Sequence, residues 1–228
     1  MTPAENLYLI VVVGAMNPAI HHPAWYAATE ILSKEESEKA IQSGVTVISP
    51  QIARFNVGSI SIICEPLRWQ IQTEQERDLS RAVELAEKTF QKLFHTPVSA
   101  FGFNFLHHRV VSIPNVAAEL GCLVRGLPLG FLGNAEGLEA GKMTHERAAD
   151  GRVIRTSLEP SVRGTNQIYV SINVEHRMQP PPKGEFEFVE LKMTEHFPRA
   201  HHDAKEQLAS VLLALEALAH REATHNGT

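Results

Sequence analysis

Between Ile168 and Glu175 the chain runs IYVSINVE, with Ile168, Val170, Ile172 and Val174 alternating strictly with Tyr169, Ser171, Asn173 and Glu175. Successive side chains of an extended backbone point to opposite faces, so this stretch buries its apolar residues only as a strand with one covered face. Such a strand needs neighbours for its N–H and C=O groups and a second layer over its apolar side.

The same alternation recurs in FGFNFLHHRVV, where Phe101, Phe103 and Phe105 are separated by Gly102 and Asn104. Leu7 to Met16, LYLIVVVGAM, follows Glu5 and falls short of the roughly 20 residues a membrane-spanning helix needs, so it reads as a buried strand. VTVIS, SISIIC, LRWQIQT, RVIRTSLEPSV and EFEFVELKMTEHF add further strands, and Leu67, Trp69 and Ile71 share one face of theirs. HERAAD, which begins at His145, reads as a solvated loop, and HHP at His21 to Pro23 as a turn whose histidines stack on Trp25 or Tyr26.

Helical spacing appears in two long places. Leu79, Ala82, Val83, Ala86, Phe90, Leu93 and Phe94 form one stripe, and Thr73 with Glu76 supplies a capping box before it. Leu208, Val211, Leu212, Leu215 and Leu218 form the other, with Asp203 and Glu206 as the cap and Pro198 as a break before it. Ser33 and Glu36 open a shorter helix, KEESEKAIQ, that Gly44 stops. The predicted fold class is α+β: mainly antiparallel sheet with two long packing helices, the three phenylalanines lying beneath the Thr73 to Phe94 helix. The chain reads as a single compact domain 1–228, or as two fused halves, about 1–111 and 151–228, joined by a glycine-rich excursion over 112–150. The glycine spacing in that excursion matches no phosphate-cradling motif.

Three stretches, FQKLFHTPVSAFGFN (Phe90 to Asn104), LEPSVR (Leu158 to Arg163) and IYVSINVEHR (Ile168 to Arg177), together resemble a family of uncharacterised, sporadically distributed bacterial proteins. The third stretch ends in VEHR where the family pattern carries an Asp-His pair. The resemblance implies no activity, cofactor or site residue.

The formal charge of -5 argues against broad binding of nucleic acid, whose phosphates call for a surplus of Lys and Arg. Cys64 and Cys122 are too few for a disulfide framework or a cysteine-rich zinc site, which fits a cytoplasmic protein with buried thiols. Twelve histidines stand out, yet HExxH is absent, and Pro198 separates His196 from His201 and His202. No metal and no cofactor are expected.

The leading expectation is therefore a non-catalytic cytosolic protein that binds a protein partner or assembles with itself, and does not engage a membrane. EFEFVELKM, with Phe186, Phe188, Val189 and Leu191, is the expected edge strand for that contact, because unpaired backbone groups of an edge can template association. The alternative is a His-dependent, metal-assisted hydrolase using His107 or His108 with Glu175 and His176, brought together if the two similar strands pair. A nucleic-acid-binding module, through Arg68 and Trp69 or Arg54 and Phe55, is the second alternative.

Overall fold

The computed structural model describes residues 3–111, 135–139, 142–149, 151–164, 166–178 and 190–225. Ten strands appear: β1 (Pro3–Gly14), β2 (Val47–Ile48), β3 (Ala53–Val57), β4 (Ile60–Glu65), β5 (Arg68–Thr73), β6 (Val98–Val110), β7 (Ala135–Glu139), β8 (Lys142–Ala149), β9 (Arg152–Pro160) and β10 (Gln167–Arg177). The helices are α1 (Pro23–Ala28), α2 (Lys34–Gln42), α3 (Leu79–Lys92) and α4 (Met193–His225). Hydrogen bonding orders the strands β2-β3-β4-β5-β1-β6-β10-β9-β8-β7. The protein is α+β, with antiparallel pairing. No described helix is long and apolar enough to cross a membrane.

The chain forms two compact units: the first comprises Met1–Asn6, Phe105–Val174 and Ala200–Thr228, the second Leu7–Asn104 and Glu175–Arg199. In the second unit β1 pairs with β5 (Ile10 opposite Ile71), β5 with β4 (Ile71 opposite Ile62) and β4 with β3 (Ile62 opposite Phe55). These four residues form one buried row. Tyr26 of α1 packs edge-on against Phe55, and Phe90 of α3 packs edge-on against Trp69, so both helices lie on this face. Trp69 is fully buried, as its place on the apolar side of its strand predicts, whereas Leu67 is in a turn and exposed.

Local chemistry sets several boundaries here. Ser33 and Glu36 form the predicted capping box at the start of α2, and Gly44 follows that helix with φ of +71°. Thr73 does not cap α3. It ends β5 and accepts a bond from Gln75 N–H, and a 3-10 turn intervenes before α3 begins at Leu79. Gly14 permits a close approach of backbones: a Cβ there would lie 2.1 Å from Pro97 O. β3 was not among the expected strands; with only ARFNV, it shows too short an alternation to stand out from its loop.

His21 and Tyr26 join the core of this unit. His21 Nδ1 lies 2.9 Å from Tyr26 Oη, which also accepts from Trp69 Nε1 at 3.3 Å. A neutral imidazole can accept the phenolic proton; an imidazolium cannot. Burial pushes the His21 imidazole down to about 4. The unfolded chain takes up this proton near pH 6.5 while the native state does not, so the stability is fully present above that pH and is lost as pH falls towards 4. Urea melts from pH 7 to pH 4.5 should show a loss of about 2 to 3 kcal/mol from this one group. His21→Asn should flatten that part of the profile; an unchanged slope would assign the acid sensitivity elsewhere.

In the first unit Ile168, Val170, Ile172 and Val174 of β10 are fully buried, as the alternation requires. β8 pairs with β9, His145 standing opposite Thr156, and both are buried. His145 to Ala149 of HERAAD is thus strand rather than solvated loop, and Asp150 lies outside the described residues. The excursion over 112–150 contains β7 and β8; Cys122 and the glycines up to position 133 lie outside the described residues.

α4 departs furthest from expectation. It begins at Met193, so KMTEHF is not a strand, Pro198 lies inside the helix and Asp203 is not its cap. The cap comes from far away in sequence: within the second unit, Glu87 Oε2 accepts from Thr194 N–H at 2.6 Å and from Thr194 Oγ1 at 2.7 Å. The phenylalanines of β6 pack beneath this helix rather than α3. Phe101 meets His196 and Phe103 meets Phe197 in the second unit, and Phe105 stacks on His201 in the first.

Candidate functional site

Along β6, residues 101, 103, 105, 107 and 109 are buried while 104, 106, 108 and 110 are partly exposed. His107 and His108 therefore leave the strand on opposite faces, which prevents the pair from acting on one group while the strand is regular.

His107 is in the first unit with Asn6 and Arg109: its Nδ1 is 2.8 Å from Asn6 Oδ1 and 3.2 Å from Arg109 Nη2. Arg109 also donates through Nη1 to the carbonyl of His108 at 2.9 Å. Beneath the same unit's helix residues, Arg152 of β9 meets Asp203 of α4 at 2.9 Å, both side chains almost wholly buried. His145 is buried as well, and burial together with Arg147 holds its imidazole below the ordinary value.

His108 is on the other face. Its Nδ1 is 2.7 Å from Ser161 Oγ and its ring lies against Tyr169. Burial, then the adjacent Arg109 charge, lowers the affinity of His108 for a proton, so the neutral ring accepts the Ser161 hydroxyl hydrogen. Ser161 Oγ in turn accepts from Arg163 N–H at 3.1 Å. That second bond is the serine-anchored turn joining β9 to β10, and it accounts for the position of Ser161 without chemistry. The arrangement can move one proton between Ser161 and His108.

Glu175 and His176 have surroundings of their own in the second unit. Glu175 pairs with Arg177 Nε at 2.7 Å. His176 stacks flat on Phe101 with 4.7 Å between centroids, and the His196 ring lies 4.5 Å from it. The strands that carry these candidates do pair, but in opposite directions: Val111 N–H bonds Asn166 O, and Met178 N–H bonds Ser99 O. Antiparallel pairing sends the two similar His-Arg ends opposite ways, and each of the four candidates engages partners of its own unit.

Of the expected edge segment, Phe186, Phe188 and Val189 lie outside the described residues. Leu191 is not in a strand and is buried, which removes it from any contact surface.

A different surface emerges in the second unit. Register places Val47, Arg54, Ile63, Gln70 and Val11 side by side on β2, β3, β4, β5 and β1. Side chains in one row share a face, and this is the face opposite Trp69 and Phe55, against which α1 and α3 pack. Val47 is 51% exposed and, two positions along β1 from Val11, Val13 is 43% exposed. Ile63 is half-buried. Arg54 and Arg68 are exposed on the same face, where Glu65 is the only acid among the described residues of β2 to β5. The sequence reads Leu7 to Met16 as a buried strand, whereas Val13 at its far end is exposed, on the face opposite α1 and α3.

No group of three or more His, Cys, Asp or Glu side chains among the described residues is arranged to hold a metal. Comparison with protein-family models finds none that matches the chain, and comparison with curated proteins finds no match either.

Proposed function

We propose that the protein works by binding another protein, and that the contact surface is the sheet face of the second unit opposite α1 and α3. The observation that carries this reading is the row of apolar side chains on that face, with Val47 and Val13 about half exposed beside Val11 and Ile63. An exposed apolar patch interleaved with polar groups costs a solitary protein solubility and suits an interface core with a polar rim. β2 adds a sheet edge, since among the described residues it pairs only with β3.

The hydrolase reading finds less support. His107, His108, Glu175 and His176 are each engaged by different neighbours, and the His108 to Ser161 bond serves a turn. The nucleic-acid reading rests on Arg54 and Arg68 alone, since Phe55 and Trp69 are fully buried and cannot stack on bases.

The test is recovery of partners by cross-linking in the protein's native cell extract, with wild type compared against Ile63→Lys. A charge at the centre of the row should cut recovery of a specific partner at least tenfold while leaving the urea midpoint within error. Light scattering identifies the case in which the partner is a second copy. Recovery that is unchanged by Ile63→Lys, or no partner at all, would overturn the proposal.

A further inference from the structure

We infer that the partner presents an extended acidic segment to this face, with two carboxylates four residues apart and an apolar residue midway; the inference rests on the protein-binding reading above.

Arg54 and Arg68 carry the argument. Both are exposed, and among the described residues neither guanidinium has an ion-pair partner, whereas Arg81, Arg152, Arg155, Arg163 and Arg177 each pair with a carboxylate. Two arginines against the single Glu65 give this patch the opposite sign to the chain, whose formal charge is -5. A local cationic patch selects an anionic partner segment, and two copies meeting patch to patch would repel each other.

Register fixes the spacing. Arg54 is level with Gln70, two strands away, and Arg68 is two residues further along β5. Strand separation and rise then place the two Cα atoms about 12 Å apart. An extended peptide covers about 13 Å between residues i and i+4, and residues i, i+2 and i+4 point the same way. Carboxylates at i and i+4 therefore match the two guanidinium groups, and the side chain at i+2 falls between Ile63 and Glu65 on β4, where a third carboxylate would be repelled and an apolar group meets Ile63. Glu65, opposite Arg68, places a repulsion beside the second position, so Arg54 is the stronger anchor.

The same geometry disfavours nucleic acid. Its binding to open sheets uses exposed aromatic side chains for base stacking, and the exposed side of β2 to β5 offers none among the described residues.

The probe is a fluorescent nonapeptide of alternating threonine and valine character, with aspartates third and seventh and valine fifth, titrated with the full chain and followed by anisotropy. Binding should weaken at least tenfold with the matching asparagine peptide, with Arg54→Gln, and at raised salt, and less with Arg68→Gln. Equal binding of the asparagine peptide, or partner recovery that depends on Ile63 but ignores Arg54→Gln, would overturn the acidic segment while leaving the protein-binding reading intact. Failure of every peptide together with loss of any Ile63-dependent partner would remove both. Tighter binding of a single-stranded oligonucleotide than of the aspartate peptide would replace the inference with a nucleic-acid surface.

Discussion

Asp203→Ala is expected to destabilise the protein by about 3 to 5 kcal/mol, the cost of breaking a buried ion pair by removing one member. Arg152 Nη1 donates to Asp203 Oδ2 at 2.9 Å, and each side chain keeps only 7% of its surface in water. Water cannot readily replace the carboxylate in such a place, so the variant loses a charge-assisted hydrogen bond that nothing from solvent restores. Asp203→Asn keeps an acceptor and should cost less. Replacing both partners by apolar residues of similar volume, Arg152→Met with Asp203→Leu, should recover most of the loss, because the pair itself repays little beyond its own desolvation. Urea denaturation measures all three. A loss under 1 kcal/mol for Asp203→Ala would mean that water reaches Arg152 and that this part of α4 is not held to β9 as described.

Phe103→Ala should cost about 3 to 5 kcal/mol, as truncation of a fully buried aromatic residue does. Phe103 is in ring contact with Phe101, His176 and Phe197, and the last of these belongs to α4. The contacts tie β6, β10 and the first turns of α4 into one cluster of the second unit. Phe103→Leu fills most of the volume and should cost much less. A loss under 1 kcal/mol in urea melts of the alanine variant would place the phenylalanine face in solvent.

Much of this architecture was legible because local pattern and tertiary outcome agree. The alternation from Ile168 to Val174 needs a covered sheet face, and those residues are wholly buried. The stripe from Leu79 to Phe90 needs a core beneath it, and Phe90 meets Trp69. Ser33 and Glu36 are three residues apart and satisfy each other's backbone, so their capping box was visible without any tertiary context.

The misreadings share one physical cause, the replacement of a local signal by a distant partner. Asp203 has the composition of a cap, but Arg152, 51 residues away, holds it inside a helix. The true start of α4 is satisfied by Glu87, 107 residues away, which no local window contains. HERAAD is polar enough for a loop, yet pairing with β9 makes His145 to Ala149 a strand. The candidate histidines rest on adjacency and on the likeness of two strand sequences. Direction was the missing quantity, since only the antiparallel sense of the β6 and β10 pairing separates the two ends. The face carrying Arg54, Ile63 and Arg68 was overlooked because its residues come from separate strands and meet only through register.

The first unit is assembled from Met1–Asn6, Phe105–Val174 and Ala200–Thr228, so its earliest and latest pieces are separated by almost the whole chain. During synthesis Asn6 emerges long before His107 can bond to it, and Arg152 waits for Asp203. The second unit has most of its strands and α3 in the continuous run Leu7–Asn104, and can begin to collapse while the ribosome is still at work. Vectorial folding would then start in the interior of the nascent chain: the run Leu7–Asn104 settles first, the opening residues wait for His107, and the first unit is completed only by the piece that starts at Ala200. A premature stop before Ala200 would therefore remove the His201 ring that stacks on Phe105 and the carboxylate that meets Arg152, and leave the first unit incomplete although its N-terminal piece is already in place.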